Sequence, residues 1–345
     1  MISKLEVHRY TLKPRAHFGA RSVARSGALL RVTFSDIEAP GVADLFPWAE
    51  FGDPSLEAWM AELKTGDPVS MTLKRAIEAA RDEALAISRG EPLIKGSVVN
   101  HHLATDVRSL ATGDVIEARR AGAGAIKVKI GVYDSNHHAS KAEAETLSRL
   151  LSHWGDLRLR LDANERLDRD SLLKFLDHLP ILLLERIEFI EDPIAYDPRA
   201  WSDLHSETGL AIAYDRASRV RGLEADEKGA TLLDLIDSRA MQVLIHKPAW
   251  QDDARAKLAT AHGVPCVVTS IMGHVVGNLW AASKACELAP EGVHGCRSHV
   301  VYRDDEATLA LTKSKQVRGA RMMGEGVGLG LQSKWWERLK WEHLT

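Results

Sequence analysis

From about residue 93 onward the chain repeats one unit, a short apolar run followed by a longer amphipathic segment. Eight runs read as strands: LIKGSVVNHHL (93–103), AIKVKIG (125–131), LRLRLDANE (157–165), IEFIEDP (187–193), LAIAYDRA (210–217), MQVLIHKP (241–248), PCVVTSIM (265–272) and GVHGCRS (292–298). The segments between them include SKAEAETLSRLLSHWG (140–155), DRDSLLKFLDHL (168–179), DPRAWSDLHSETG (197–209), DDARAKLATAHG (252–263) and NLWAASKACELAP (278–290). Several open on Ser, Asp or Asn and close on Gly or Pro, as helix starts and stops do. Strands alternating with helices indicate α/β and a parallel sheet. A count of eight within about 200 residues favours a closed (β/α)8-type barrel, expected over 93–300, above an open doubly wound sheet.

Residues 1–92 break that rhythm. LEVHRYTLKP (5–14) and GALLRVTFSD (27–36) read as antiparallel strands, and PSLEAWMAELK (54–64) and SMTLKRAIEAARDEALAIS (70–88) as helices, which makes an α+β module ahead of the barrel. The tail, 301–345, also leaves the rhythm and is expected to return to that module. Its GEGVGLG (324–330) does not fit GxGxxG and follows no strand leading into a helix, so it reads as a turn and not a phosphate cradle.

Hydrophobic content of 45% and charged content of 27% are those of a globular chain, which excludes disorder as the organising state. A formal net charge of −3 implies no nucleic-acid or membrane-surface partner. Cys266, Cys286 and Cys296 form no CxxC and suit a reducing cytoplasm. MISKLEVHRY lacks a signal-peptide apolar region, and no apolar run approaches a membrane span. The expectation is a soluble cytoplasmic protein; its oligomeric state has no signature in the sequence.

Active sites of such barrels sit at the C-terminal ends of the strands. GAIKVKIG (124–131) places Lys127 and Lys129 two apart, hence on one face of a strand. If that face is interior, two ammonium groups stand side by side away from water and need compensation. The next strands end on Asp162, Glu191, Asp215 and Lys247, at intervals close to one βα unit. Each charge alone would be an ordinary rim residue or ion-pair partner. Together, three carboxylates on successive strand ends, flanked by lysines, suit a hard divalent cation, Mg²⁺ with Mn²⁺ as a substitute. Such a cation stabilises an enolate forming beside a carboxylate. A lysine crowded by a second lysine and a metal is expected to have its pKa lowered towards that of a general base. The implied partner is a small-molecule carboxylate.

On these residues the chain resembles the enolase superfamily, in its muconate-lactonizing-enzyme-like subgroup. That subgroup carries KxK on the second barrel strand, Asp, Glu and Asp as metal ligands on strands three to five, and a lysine on strand six. They fall here on Lys127 and Lys129, on Asp162, Glu191 and Asp215, and on Lys247. The resemblance implies that residues 1–92 are a capping domain and that GEGVGLG is the glycine-rich segment near the family's C-terminus.

Within the subgroup, LDAN with Asn164, GVADLFPWAEFGD (41–53) and the KP after strand six are most similar to the o-succinylbenzoate synthase family. This implies dehydration of a 2-succinyl-6-hydroxycyclohexadiene-1-carboxylate in menaquinone biosynthesis. Lys129 would remove the α-proton and help hydroxide leave from the same face, Lys127 would tune it, and Lys247 would face the ring as a cation over a π system. Asn164 is an implied substrate contact. Where the family has a serine-rich segment after strand seven, this chain reads TSIMGH (269–274), leaving Ser270 and Gly273 as candidates. His17 and Arg21 lie in a cap loop that would close over substrate. The interval from Asp215 to Lys247 is longer than usual, which places an insertion around VRGLEADEKGATLLD (220–234).

Other readings stay open. An N-acylamino acid racemase or dipeptide epimerase would use the same lysines, one per face. GCRSHVVYRDD (295–305) lacks the DxD usual in dipeptide epimerases, which disfavours that branch and leaves the acylamino acid racemase. A cycloisomerase is a weaker rival. A catalytically dead binding barrel is disfavoured by the intact acidic and basic set. His101 and His102, as strand neighbours, point opposite ways and do not share a metal. His137/His138, Asp304/Asp305 and Trp335/Trp336 read as loop or surface pairs.

Overall fold

Alternation of apolar and polar residues shapes the first sheet. Strands β1 (Ile2–Leu12), β2 (Arg25–Phe34) and β3 (Gly41–Leu45) form an antiparallel meander. Helices α1 (Leu56–Leu63) and α2 (Met71–Ser88) follow, with Ser55 and Ser70 accepting hydrogen bonds from the first-turn amides of Ala58 and Leu73. The buried stripe of α2 is small (Ala76, Ala79, Ala80, Ala84), which lets β3 approach closely. At Gly41 a Cβ would overlap the carbonyl oxygen of Ala80. The sequence-expected α+β module is present. The computed structural model describes residues 1–15, 23–66, 68–132, 137–216, 220–303, 305–313, 316–330 and 333–344.

The barrel strands are β4 (Ser97–Asn100), β5 (His102–Ala104), β6 (Ala125–Lys129), β7 (Arg158–Asp162), β8 (Ile187–Glu191), β9 (Ile212–Tyr214), β10 (Val243–His246), β11 (Cys266–Val268) and β12 (Val293–His294). Strands β5 to β11 form one parallel sheet in sequence order. The run expected as a single first strand is divided at His101: β5 pairs with β6, whereas β4 pairs in parallel with β12. Backbone bonds from Gly295 N–H to the Val268 carbonyl (2.9 Å) and from Ser270 N–H to the Gly295 carbonyl (3.2 Å) join β12 to β11. The ring is thereby closed, as a (β/α)8-type barrel requires.

Helices α3 (Thr112–Arg120), α4 (His137–Arg149), α5 (Arg169–Asp177), α6 (Ile181–Leu184), α7 (Pro198–Thr208), α8 (Leu232–Asp237), α9 (Asp253–Ala261) and α10 (Val275–Leu288) connect the strands. Helix α8 begins at the end of the stretch flagged as an insertion, where sequence reading placed no helix. One apolar core fills the space between the strands and helices α3 to α9; a smaller cluster of Phe189, Ala213, Val243, Ile245 and Val267 fills the barrel interior. Strand periodicity of two then decides what stands above that plug. Two residues beyond Phe189, Ala213, Ile245 and Val267 are Glu191, Asp215, Lys247 and Thr269. No helix among the described residues is long and apolar enough to cross a membrane.

The tail divides. After α11 (Glu306–Lys313), the hairpin β13 (Val317–Arg318) and β14 (Arg321–Met323) joins β4. Then α12 (Ser333–Arg338) packs on the cap core, and β15 (Glu342–His343) pairs with β1. Trp335 and Trp336, expected at the surface, are half-buried against that core because the returning tail brings them there.

Candidate active site

Lys127 is buried between two acids, its Nζ 2.5 Å from Glu191 Oε1 and 3.0 Å from Asp162 Oδ2. Burial disfavours its charge, yet Asp162, Glu191 and Asp215 together outweigh burial and raise its pKa. Three anions surround its ammonium and favour the charged form. Lys129, two residues on, is 24% exposed at its side chain and stands farther from the same oxygen, 3.7 Å from Asp162 Oδ2. The pair thus has unequal surroundings. One lysine is locked, and the other faces the mouth.

Burial alone would raise the pKa of Asp162, but the Lys127 and Lys129 ammoniums prevail and hold it below the usual range. Glu191 goes the other way, because its burial and the neighbouring Asp162 and Asp215 charges exceed what Lys127 supplies. Its Oε2 is buried with no hydrogen-bond partner. Asp215 pairs with Lys247 through both carboxylate oxygens, which overcomes burial and lowers its pKa. As the side chains stand, Asp162 and Glu191 share Lys127 while Asp215 turns to Lys247. Among the described residues no three such donors converge on one point.

Turns behind the acids fix their roots. Asn164 and Glu165 both take left-handed backbone (φ 49° and 59°), and Asn164 Nδ2 donates to Asp162 Oδ1 at 2.5 Å. Asp192 is also left-handed (φ 43°), and its Oδ1 accepts the Asp215 N–H at 3.1 Å. Such backbone is uncommon for residues with a Cβ and is found where structure over-determines it, often at functional sites. Arg216, buried against the Tyr196 ring at 4.1 Å, ion-pairs with Glu165 and Glu227 and so ties the turn after β7 to the inserted segment.

The other sequence-predicted contacts separate. Ser270 Oγ is 2.6 Å from Ser298 Oγ and 3.3 Å from the Gly295 carbonyl oxygen. Gly273 lies where cap meets barrel: a Cβ there would stand 2.6 Å from Asp44 Oδ2 and 3.2 Å from Phe46 Cβ. His17 and Arg21 lie outside the described residues. Sequence reading passed over Thr269. Its Oγ1 is buried without a partner, beside His101 and Gly295 on the inward side of strand seven. The signal was available in Val267, two residues earlier on the same face. His101 faces Arg160, with 3.2 Å between Arg160 Nη1 and His101 Nδ1.

Residues 112–337 match the family model described as enolase C-terminal domain-like. The chain belongs to that family. Ahead of this family domain, residues 5–86 match the o-succinylbenzoate synthase N-terminal domain. The o-succinylbenzoate synthase of Bdellovibrio bacteriovorus is 28% identical over 354 residues, covering 99% of this chain and 98% of the relative. Among solved structures, the L-Ala-D/L-Glu epimerase of Bacillus subtilis superposes with a TM-score of 0.72 at 18% identity, covering 95% of this chain and 98% of that one. Muconate lactonizing enzyme from Pseudomonas putida gives 0.69 at 18% identity, covering 98% of both chains. These two likenesses show the fold.

Membership of the enolase family implies a divalent metal, and the acids present fit one. Asp162, Glu191 and Asp215 end adjacent strands and offer only oxygen donors, the set preferred by Mg²⁺. The unpartnered Oε2 of Glu191 and the raised pKa of that group mark an excess of negative charge that a second cation beside Lys127 would relieve.

Proposed function

We propose that this enzyme is an o-succinylbenzoate synthase, a hydro-lyase of menaquinone biosynthesis, working in the cytoplasm on a succinyl-hydroxycyclohexadiene-carboxylate. In this reading residues 1–92 cap a barrel of residues 93–300, and 301–345 return across both. The observation that carries it is the unequal lysine pair: Lys127 is consumed by the acids, which leaves Lys129 as the lysine free to meet substrate at the mouth. Support for dehydration over its rivals comes from the N-terminal domain match and the full-length likeness to a named synthase.

Mg²⁺ held by Asp162, Glu191 and Asp215 would supply fixed positive charge to polarise the substrate carboxylate and make its α-proton more acidic. Lys129 takes that proton from C1, and the C1–H electron pair moves into the ring. The C6–O bond then breaks, and the Lys129 ammonium returns its proton to the departing hydroxide, so one water leaves and the ring becomes aromatic. Lys247, opposite Lys129, faces the electron-rich ring. Asn164 holds Asp162 in orientation through its amide. Thr269 offers an unpaired hydroxyl, and Ser270 a partnered one, towards the succinyl arm. His17 and Arg21 are proposed substrate contacts in this scheme.

Racemisation of N-acylamino acids is the second reading, favoured by the lysines on strands two and six. One preparation distinguishes the two reactions. Aromatisation of the cyclohexadiene and α-deuterium exchange of N-acylamino acids in D₂O are measured side by side. Aromatisation is expected to have the higher kcat/KM; exchange without aromatisation would replace the dehydratase with a racemase.

A further inference from the structure

We propose that Arg75, on cap helix α2, is a positioning residue for Lys247; this rests on the reading that Lys247 faces the reacting ring. Lysine is a poor choice for precise placement, since four rotatable carbons separate its ammonium from the backbone. The lysine root must therefore be held, and the structure holds it from the cap. Arg75 is 4% exposed. Its Nε donates to the carbonyl oxygen of Pro248 at 2.8 Å, and its Nη2 donates to Asp253 Oδ1 at 2.5 Å. That same Oδ1 lies 3.2 Å from Nε2 of His246, which is fully buried. One guanidinium thus reaches both neighbours of Lys247, the following residue directly and the preceding one through Asp253.

The turn between them is closed by its own bonds. Lys247 N–H donates to Gln251 Oε1 at 3.0 Å, and the amides of Trp250 and Gln251 donate to the Lys247 carbonyl at 2.9 Å. Within the turn, Trp250 packs on the cap through Phe46, Trp48 and Phe51, an apolar contact that does not by itself orient the polar backbone around Lys247. Arg75 adds the polar tie from α2, to Pro248 just after β10 and to Asp253 at the start of α9. Glu78 and Asp253 compensate its charge, and Lys284 occupies the other Asp253 oxygen at 3.1 Å. A buried ion network of this kind is weak evidence for stability, because desolvation cancels much of the attraction. Its geometry, a planar fork spanning a carbonyl and a carboxylate, suits placement, and no lysine could reproduce it.

The test uses full-length protein with R75Q, R75K and, as a control on the same helix, R81Q, whose exposed partner is Asp36. Two quantities are read: amide hydrogen exchange across residues 243–252, and kcat and KM separately. In R75Q, exchange there should quicken by about tenfold or more, and kcat should fall roughly 10- to 100-fold, the cost of a misplaced group, while KM changes little. R75K should keep the pair to Asp253, lose the fork, and fall between wild type and R75Q. R81Q should change neither quantity. If R75Q does not fold, R75K decides. Unchanged exchange in the folded variants overturns the inference, as does faster exchange with wild-type kcat or an equal effect in R81Q. Should wild type fail to aromatise the cyclohexadiene, the proposed reaction falls, and the exchange measurement still judges whether Arg75 holds the turn.

Discussion

At the scale of single residues, the charged set was readable because each member sits where an apolar strand ends and a charge has no structural reason to recur. Lys127, Lys129, Asp162, Glu191, Asp215 and Lys247 were all identified that way. Their individual surroundings were not readable, because those depend on neighbours from other strands. Lys127 shows this: a KxK pattern suggests mutual repulsion, whereas the fold places Asp162 and Glu191 within 3.0 Å of its ammonium. Two outcomes follow. Lys129→Ala should lower turnover by about 10²- to 10⁴-fold, the range for a lost acid–base group, with Mg²⁺ affinity by calorimetry almost unchanged; near-wild-type turnover would remove Lys129 from the chemistry. Lys127→Ala should destabilise the protein by about 3–5 kcal/mol, since it leaves buried carboxylates uncompensated. Added Mg²⁺ should then raise its Tm by more than it raises that of wild type. An equal rise in both would contradict the idea that lysine and metal relieve the same charge.

At the scale of elements, helix caps and strand alternation were sufficient to locate most of the barrel, including the inner positions that carry the candidate site. What escaped, besides helix α8, were features set by pairing across the ring. The first strand is split because β4 must meet β12 while β5 meets β6, and no local pattern at His101 announces that. Thr269 escaped because threonine is an ordinary strand residue, and only its neighbours His101, between β4 and β5, and Gly295, just after β12, make its hydroxyl unusual. In the cap, the contact of α2 with β3 is the element most exposed to change. Gly41→Ala should destabilise by about 2 kcal/mol or more in urea melts, because its Cβ meets backbone that cannot move aside; a neutral result would show that β3 can shift. Glu83, buried on α2, accepts amide bonds from Val42 (2.6 Å) and Leu329 (3.3 Å), and burial raises its pKa from an ordinary 4.5 to about 8. The folded state therefore keeps a proton that the unfolded chain has released. The associated stability is fully present below about pH 4.5 and is lost as pH rises through about 8. Glu83→Gln should flatten the fall in Tm between pH 5 and 8, and parallel slopes in the two proteins would rule Glu83 out as its source.

At the scale of the whole molecule, the order of parts was legible and their docking was not. A cap, a barrel and a returning tail could be placed along the chain by changes of rhythm. That Arg75 reaches Pro248, that Arg221 reaches Asp53 at 2.7 Å, or that Asn100 joins strand one to Cys296 and Ala320, depends on which surfaces meet. These contacts place an α+β layer beside the mouth of a barrel whose inner ring carries the acids and lysines. The proposed chemistry for that ring is metal-dependent removal of a proton next to a carboxylate, with loss of water. The most direct measurement is the decay of cyclohexadiene absorbance when protein, Mg²⁺ and the succinyl-hydroxycyclohexadiene-carboxylate are mixed, repeated with EDTA. Rapid decay that EDTA suppresses and Mg²⁺ restores is the expected result; no decay, or decay indifferent to EDTA, would contradict it.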